Sequence, residues 1–254
     1  MAGLSTASLA ALTTTQIGSF NGTQLNALST AQMASFETAD IAALDARIVS
    51  ALSTGNVTAL TSSQVKALDS AQLKALTTAQ LNALDTADVA AMGTSQIQAL
   101  SSGQVASLST DRVTALTSGQ IQALTSTQVA GLSTVQVASL TTSQVESLTT
   151  SQIQALGSSQ IAAMSSDQIT AIQTADLASL TTAQITGLTT SVIQSLTTAQ
   201  VAGLNSAQVS ALNNTQLNSL SSTQVQAIET ADVAALTSAQ INGIATTGVN
   251  ALSS

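Results

Sequence analysis

The sequence predicts an all-α solenoid: a superhelix of tandem eight-residue units, each a short capped helix followed by a bend. Three observations carry that prediction. A large apolar residue recurs every eight positions from Leu4 to Leu252, without insertion or deletion. A helix-capping residue follows it in almost every unit. A period of eight is also incompatible with one continuous helix. Strict internal repetition of this kind decides the fold class before any single residue does.

The Leu slot that opens the unit has 32 sites, all Leu except Phe20, Phe36, Met92, Met164, Ile172, Ile228 and Ile244, and the slots after it are numbered from the cap. The cap slot comes next (Ser5, Thr13, Asn21, Ser29, Asp45). It holds Ser, Thr, Asn, Asp or Gly except at Glu37, Gln173, Glu229 and Ala245, which is the set preferred at helix N-caps. A second slot, mostly Ser or Thr, and a small variable third slot follow. The fourth is the Gln slot (Gln16, Gln24, Gln64, Gln72, Gln80), with Asp40, Asp88, Asp176 and Asp232 as replacements. Val, Ile, Leu or Met fills the fifth slot, and a freely varied, often polar residue the sixth (Asn26, Lys66, Lys74, Gln98, Glu146). The last slot is Ala, Ser or Gly at all 32 sites, from Gly3 to Ala251.

Ser/Thr-x-x-Gln is a capping box. The hydroxyl accepts from the N–H three residues on, and the Gln side chain reaches back to the cap's own N–H. The Leu before the cap and the Val or Ile four residues after the cap form a hydrophobic staple. Eight residues at about 100° each advance the face by about 80° per unit, so a continuous helix would spiral its apolar residues around every side. The helix must stop and restart in each unit, in segments of about six or seven residues that are unstable alone and depend on their neighbours.

The small slot is expected beside the Leu, where the chain bends and a larger side chain would push segments apart. None of the sixteen charged residues falls in the Leu, Val/Ile, small or second slots. The sixth slot is therefore expected in solvent, and the second slot half-buried and hydrogen-bonded. Long caps (Glu37, Gln173, Glu229) coincide with Asp in the Gln slot (Asp40, Asp176, Asp232), as if the two positions touch; Asp85 with Asp88 departs from that rule.

The alternative is a β-solenoid with stacked Gln and Thr ladders. Against it, Ala, Gln and Leu favour helices, and Gly, Asn and Asp are too scarce to turn the chain every eight residues. The Leu and Val slots also have opposite parity, so a strand could not bury both on one face.

Composition narrows the function classes. The 254 residues are 44% apolar but only 6% charged and 1% aromatic, with net charge −8. That is too apolar for disorder. All four basic residues (Arg47, Lys66, Lys74, Arg112) lie in the first half, which argues against nucleic-acid binding. No apolar run is long enough to span a membrane. The N-terminus has no basic segment leading into an apolar one, so no Sec signal peptide is visible. Without Cys there are no disulfides or thiolate metal sites.

Candidate chemistry is sparse. The nearest carboxylate pairs, Glu37/Asp40, Asp85/Asp88 and Glu229/Asp232, occupy cap and Gln slots, where capping and favourable charge at a helix N-terminus explain them. There is no His to activate a Ser or Thr. Lys66 and Lys74 take equivalent solvent slots. Gly55, Gly103 and Gly119 form no phosphate-binding loop, and no Ca²⁺ loop is present. No catalytic, cofactor-binding or metal-ligating residue is expected, nor an enzymatic role or small-molecule ligand. Irregular units (Arg47-Ile48-Val49, Val192 in place of Gln, Gly93 and Gly157 at caps) read as drift in a redundant array.

The expected organisation is a single array over residues 1–254, about 32 octapeptides without polar capping repeats. It implies either an excerpt of a longer array or subunits that stack end to end and self-associate into a filament. The phrase L-T-T-A-Q-V-x-A-L, carried by residues 76–84 and 180–204, resembles tandem-repeat regions of very large bacterial secreted or cell-surface proteins. The resemblance extends over essentially the whole chain and implies an extracellular or cell-surface structural role, with no catalytic residues. The function expected is a fibre, stalk or surface filament. The alternative is a repetitive Ser/Thr surface that binds ice or a polysaccharide.

Overall fold

A computed structural model describes residues 3–244. Among them are thirty α-helices of four to six residues, α1 (Thr6–Ala10) to α30 (Ser238–Gly243), and no strand. The octapeptide is therefore an all-α solenoid unit, and the β alternative is discarded.

One unit shows how the sequence builds the element. Thr61, extended at φ −77° and ψ 157°, caps α8 (Ser62–Ala67). Its Oγ1 accepts from the Gln64 N–H at 3.3 Å, and its own N–H donates to Gln64 Oε1 at 2.8 Å. The capping box read from the sequence is thus formed, and it recurs in most units. The helix ends when Leu68 turns extended (φ −63°, ψ 134°), its N–H still donating to the Val65 carbonyl at 3.2 Å. Leu and cap together make the bend. No described residue has a positive φ, so the bend needs no glycine. Helices reach six residues at most, the short end of the six or seven expected, because two of the eight positions are spent on this extended pair.

The chain divides into two compact units, Met1–Gly131 and Leu132–Ser254. Within each, helices coil into superhelical turns, and extensive contacts join a helix to the one three places on, as α5 (Thr38–Ala42) to α8 and α8 to α11 (Thr86–Ala91) in the first unit. Polar contacts between turns span 25 to 31 residues. A turn therefore holds between three and four octapeptides, and successive turns are staggered like brickwork. The start of α8 sits over the end of α4 (Thr30–Ala34), where Gln64 Nε2 meets the carbonyls of Met33 and Phe36 at 3.2 and 2.8 Å.

The Val/Ile and Leu rows both face the interior; Val65, Leu68, Leu73 and Leu76 are typical of the first unit, and Ile169, Ile172, Val209 and Leu212 of the second. Each such side chain contributes roughly 1.5–3 kcal/mol on burial. That burial between turns is what holds helices too short to nucleate alone.

Two packing expectations are corrected. The second slot is mostly exposed rather than half-buried, as at Thr54, Ser70, Thr86 and Thr182. The small slot is constrained by the preceding turn rather than by its own bend. A Cβ on Gly187 would overlap the Ser158 side chain, and one on Gly203 would overlap Thr174 Cγ2. Second-slot side chains thus rest on small-slot residues 29 positions later. This contact explains why one slot excludes bulk and the other excludes charge, although solvent still reaches the second slot.

Candidate functional site: the inter-turn glutamine ladder

Helices this short leave nearly all their terminal N–H and C=O groups without an intrahelical partner. One side chain per unit closes both kinds of end. Gln72 Oε1 accepts the Asp69 N–H at 2.8 Å, completing the cap of its own helix, α9 (Ser70–Ala75). Its Nε2 donates to the Ile41 and Leu44 carbonyls of the preceding turn at 2.8 and 2.7 Å. In the second unit Gln200 takes the Thr197 N–H at 2.9 Å and donates to Ile169 and Ile172, both at 2.9 Å. Gln80, Gln120, Gln208 and Gln216 repeat the arrangement. These side chains are almost fully buried; Gln72 is 1% exposed.

A neutral amide suits this position. It supplies acceptor and donors together without placing a charge between turns, where an unpaired ion would be expensive. The capping half of its role is visible in the sequence. The inter-turn half is not, because its partners lie 28 and 31 residues back and are backbone atoms of any residue type.

The Asp replacements work differently. Asp88 accepts from the Asp85 N–H at 3.3 Å and from the Ser62 hydroxyl of the preceding turn at 2.8 Å. Asp176 takes the Thr150 hydroxyl at 2.6 Å, and Asp232 the Ser206 hydroxyl at 2.5 Å. All are spaced by 26 residues. The Glu37 N–H donates to Asp40 Oδ2 at 3.1 Å, but no side-chain cap bond forms at Glu37, Gln173 or Glu229. The long-cap pairing thus keeps the contact of Asp with the cap N–H at Glu37 and Asp40, whereas no box forms at Gln173 or Glu229. At Gln173 the extra length reaches the preceding turn instead, with Nε2 donating to the Glu146 carbonyl at 3.3 Å.

Other irregular units keep part of the pattern. Gly93 and Gly157 lack a cap side chain, yet their N–H groups still reach Gln96 and Gln160 Oε1 at 2.7 and 2.6 Å. Arg112, in a Gln slot, donates from Nε to the Leu84 carbonyl at 2.9 Å, 28 residues back. Asn56 donates to the Leu25 carbonyl at 2.7 Å, 31 residues back. Both reproduce the downward donation of Gln.

Burial pushes the Asp88 carboxyl above its ordinary range, and the Ser62 hydroxyl and Asp85 N–H oppose that shift. Asp45 is held low, first by the hydrogen bond from the Arg47 side chain, in an exposed ion pair of 3.1 Å. The carboxylate pairs singled out in the sequence each occupy one helix N-terminus and converge on no cleft. Lys66 and Lys74 are solvent-exposed. Among the described residues no group of three or more His, Cys, Asp or Glu could hold a metal, and no helix is long and apolar enough to cross a membrane. A shallow groove of about 410 Å³ lined by Gln194, Leu196, Thr198, Ser219, Ser221, Thr223 and Gln224 contains no titratable side chain.

Against known families, the ALTTAQ repeat matches residues 1–36, 33–70, 65–102, 82–118, 97–126, 113–150, 144–171, 169–206 and 225–254. Among curated proteins none matches the chain.

Proposed function

The chain belongs to the ALTTAQ repeat family, and we propose that this repeat protein works as an architectural element, the body of a fibre, stalk or surface filament, with no catalytic role of its own. The observation that carries the reading is the glutamine ladder. A Gln closes a helix end in its own turn and another in the turn before, so neighbouring turns stabilise one another through a contact that recurs in most units. Arrays with nearest-neighbour coupling grow by adding units without redesign, and a head-to-tail contact that does not close extends indefinitely.

Self-association through that turn face, and export to the cell exterior or surface, complete the proposal. The likeness to repeat regions of bacterial secreted and surface proteins supports the location. A glycan- or ice-binding surface is the second reading: second-slot hydroxyls such as those of Thr54 and Thr86 are exposed, whereas most cap hydroxyls accept from a backbone amide of their own helix.

Small-angle scattering and negative-stain microscopy test this directly. Elongated particles whose length grows in proportion to the number of octapeptides are expected. Compact particles of fixed radius in both a shortened and a lengthened array would overturn it.

A further inference from the structure

Two Gln-slot residues, Asn56 and Arg112, donate to the preceding turn but leave the cap N–H of their own unit without the acceptor that Gln Oε1 provides elsewhere. In both units a residue 30 positions earlier supplies it. The Ser53 N–H donates to Asn26 Oδ1 at 2.7 Å, and the Ser109 N–H donates to Asn82 Oδ1 at 2.9 Å. The same Asn side chains donate from Nδ2 to the carbonyls of Ala51 and Ser107, at 2.8 and 2.7 Å. Each Asn amide therefore brackets the bend of the next turn. It holds the small-slot carbonyl before the extended Leu and the cap N–H after it.

We infer that Asn in the sixth slot is an inter-turn bend clamp, a positioning residue that takes over half of the Gln function from a Gln slot 30 residues later that cannot perform it. The sequence carries an independent trace of this. Of the 28 Gln-slot positions from 32 to 248, five hold neither Gln nor Asp: Ile48, Asn56, Arg112, Val192 and Gly248. Three sixth-slot Asn residues precede such a position by 30, namely Asn26, Asn82 and Asn218, and all three fall on members of that set: Asn56, Arg112 and Gly248. Gly248 lies outside the described residues, but Asn218 Nδ2 already donates to the Gly243 carbonyl at 2.9 Å, the contact made by the other two clamps.

The geometry explains why Asn is used. Its short amide can span two backbone groups two residues apart on the facing turn. Gln154, in the same slot, also reaches a small-slot carbonyl, that of Ser179, at 3.2 Å. The cap N–H beyond that carbonyl, at Thr181, is already held by Gln184 Oε1 at 2.8 Å. Ile48 and Val192 face Gly18 and Ala162, which offer no acceptor side chain, so those units go without a clamp.

The test is a cycle on the full chain with Asn82→Ala, Arg112→Gln and the double variant, reading Ser109 amide hydrogen exchange by NMR and the urea midpoint. Loss of one such bond should speed Ser109 exchange about five- to tenfold in Asn82→Ala and lower the midpoint. The exchange effect should disappear in the double variant, because the introduced glutamine supplies the acceptor, and the midpoint loss should shrink to the share owed to the lost donation to the Ser107 carbonyl. The inference is overturned if Ser109 exchange is unchanged in Asn82→Ala, or if Asn82→Ala does equal damage in the Arg112→Gln background. Should Asn82→Ala fail to fold, the matching cycle of Asn26→Ala and Asn56→Gln, read at the Ser53 amide, decides between the same two outcomes.

Discussion

Gln72 and Asp88 occupy the same slot two units apart and are buried alike, at 1% and 3% exposed. Their hydrogen bonds run in opposite directions. Gln72 donates to carbonyls of the preceding turn, whereas Asp88 accepts from a second-slot hydroxyl of the preceding turn. Both cap their own helix, so the local structure is indifferent to the exchange. The difference shows only between turns, where Asp88 brings a buried charge and supplies no donor. At three of the four Asp replacements a second-slot Ser or Thr 26 residues earlier serves the carboxylate: Ser62, Thr150 and Ser206.

Replacing Gln72 by Glu should give the largest effect. The change turns both inter-turn donations into repulsions between a carboxylate and two carbonyls, with Asp69 nearby. A loss of about 3 kcal/mol at neutral pH is expected in urea titrations, since breaking a buried hydrogen-bonded group leaves its partners unpaired. The introduced carboxyl would have a raised folded-state pKa, so the loss should shrink as pH falls through that value. A pH-independent loss would mean that charge is not the cause.

Gln72→Ala removes the same bonds without adding charge. It should cost about 2 kcal/mol from orphaned backbone groups, measured the same way, with faster exchange of the Asp69 amide. In the opposite direction, Asp88→Gln restores the donors and should stabilise by about 1 kcal/mol.

Its pH profile tests the cause. The Asp88 pKa is raised in the folded protein, so folding takes up a proton. Wild-type stability should gain from this residue as pH falls through the folded value towards about 3.8, the unfolded reference, and level off below it. Asp88→Gln should lack that gain. The smallest effect is expected from Ser62→Ala, about 1 kcal/mol or less at neutral pH, together with a further rise in the Asp88 pKa, read by carboxyl NMR titration.

Much of the unit is legible from residue order because its bonds are local. Cap to Gln spans three residues, and Leu to Val/Ile spans five, so Thr61, Gln64, Val65 and Leu68 all take their expected places. The Nε2 donors of Gln72 and Gln200 are not legible, since their partners are backbone carbonyls that leave no residue signature. Nor is the reason for the small slot, which lies in the stacking of Ser158 on Gly187 and Thr174 on Gly203. Arg112 and Asn56 break the Gln slot with no local sign of what replaces it. The signal that classifies them is the 30-residue spacing to Asn82 and Asn26.

The octapeptide order by itself determined an all-α chain of short capped helices with a bend in every unit. An eight-residue phase cannot keep an apolar stripe on one helix, and three-residue capping contacts do not depend on what surrounds them. Only the tertiary structure decided how many units make a turn and how the turns are staggered. Those follow from small backbone rotations at the extended Leu and cap, summed over three to four bends. That sum is selected by the burial and hydrogen bonds available to the next turn, not by propensities within a unit.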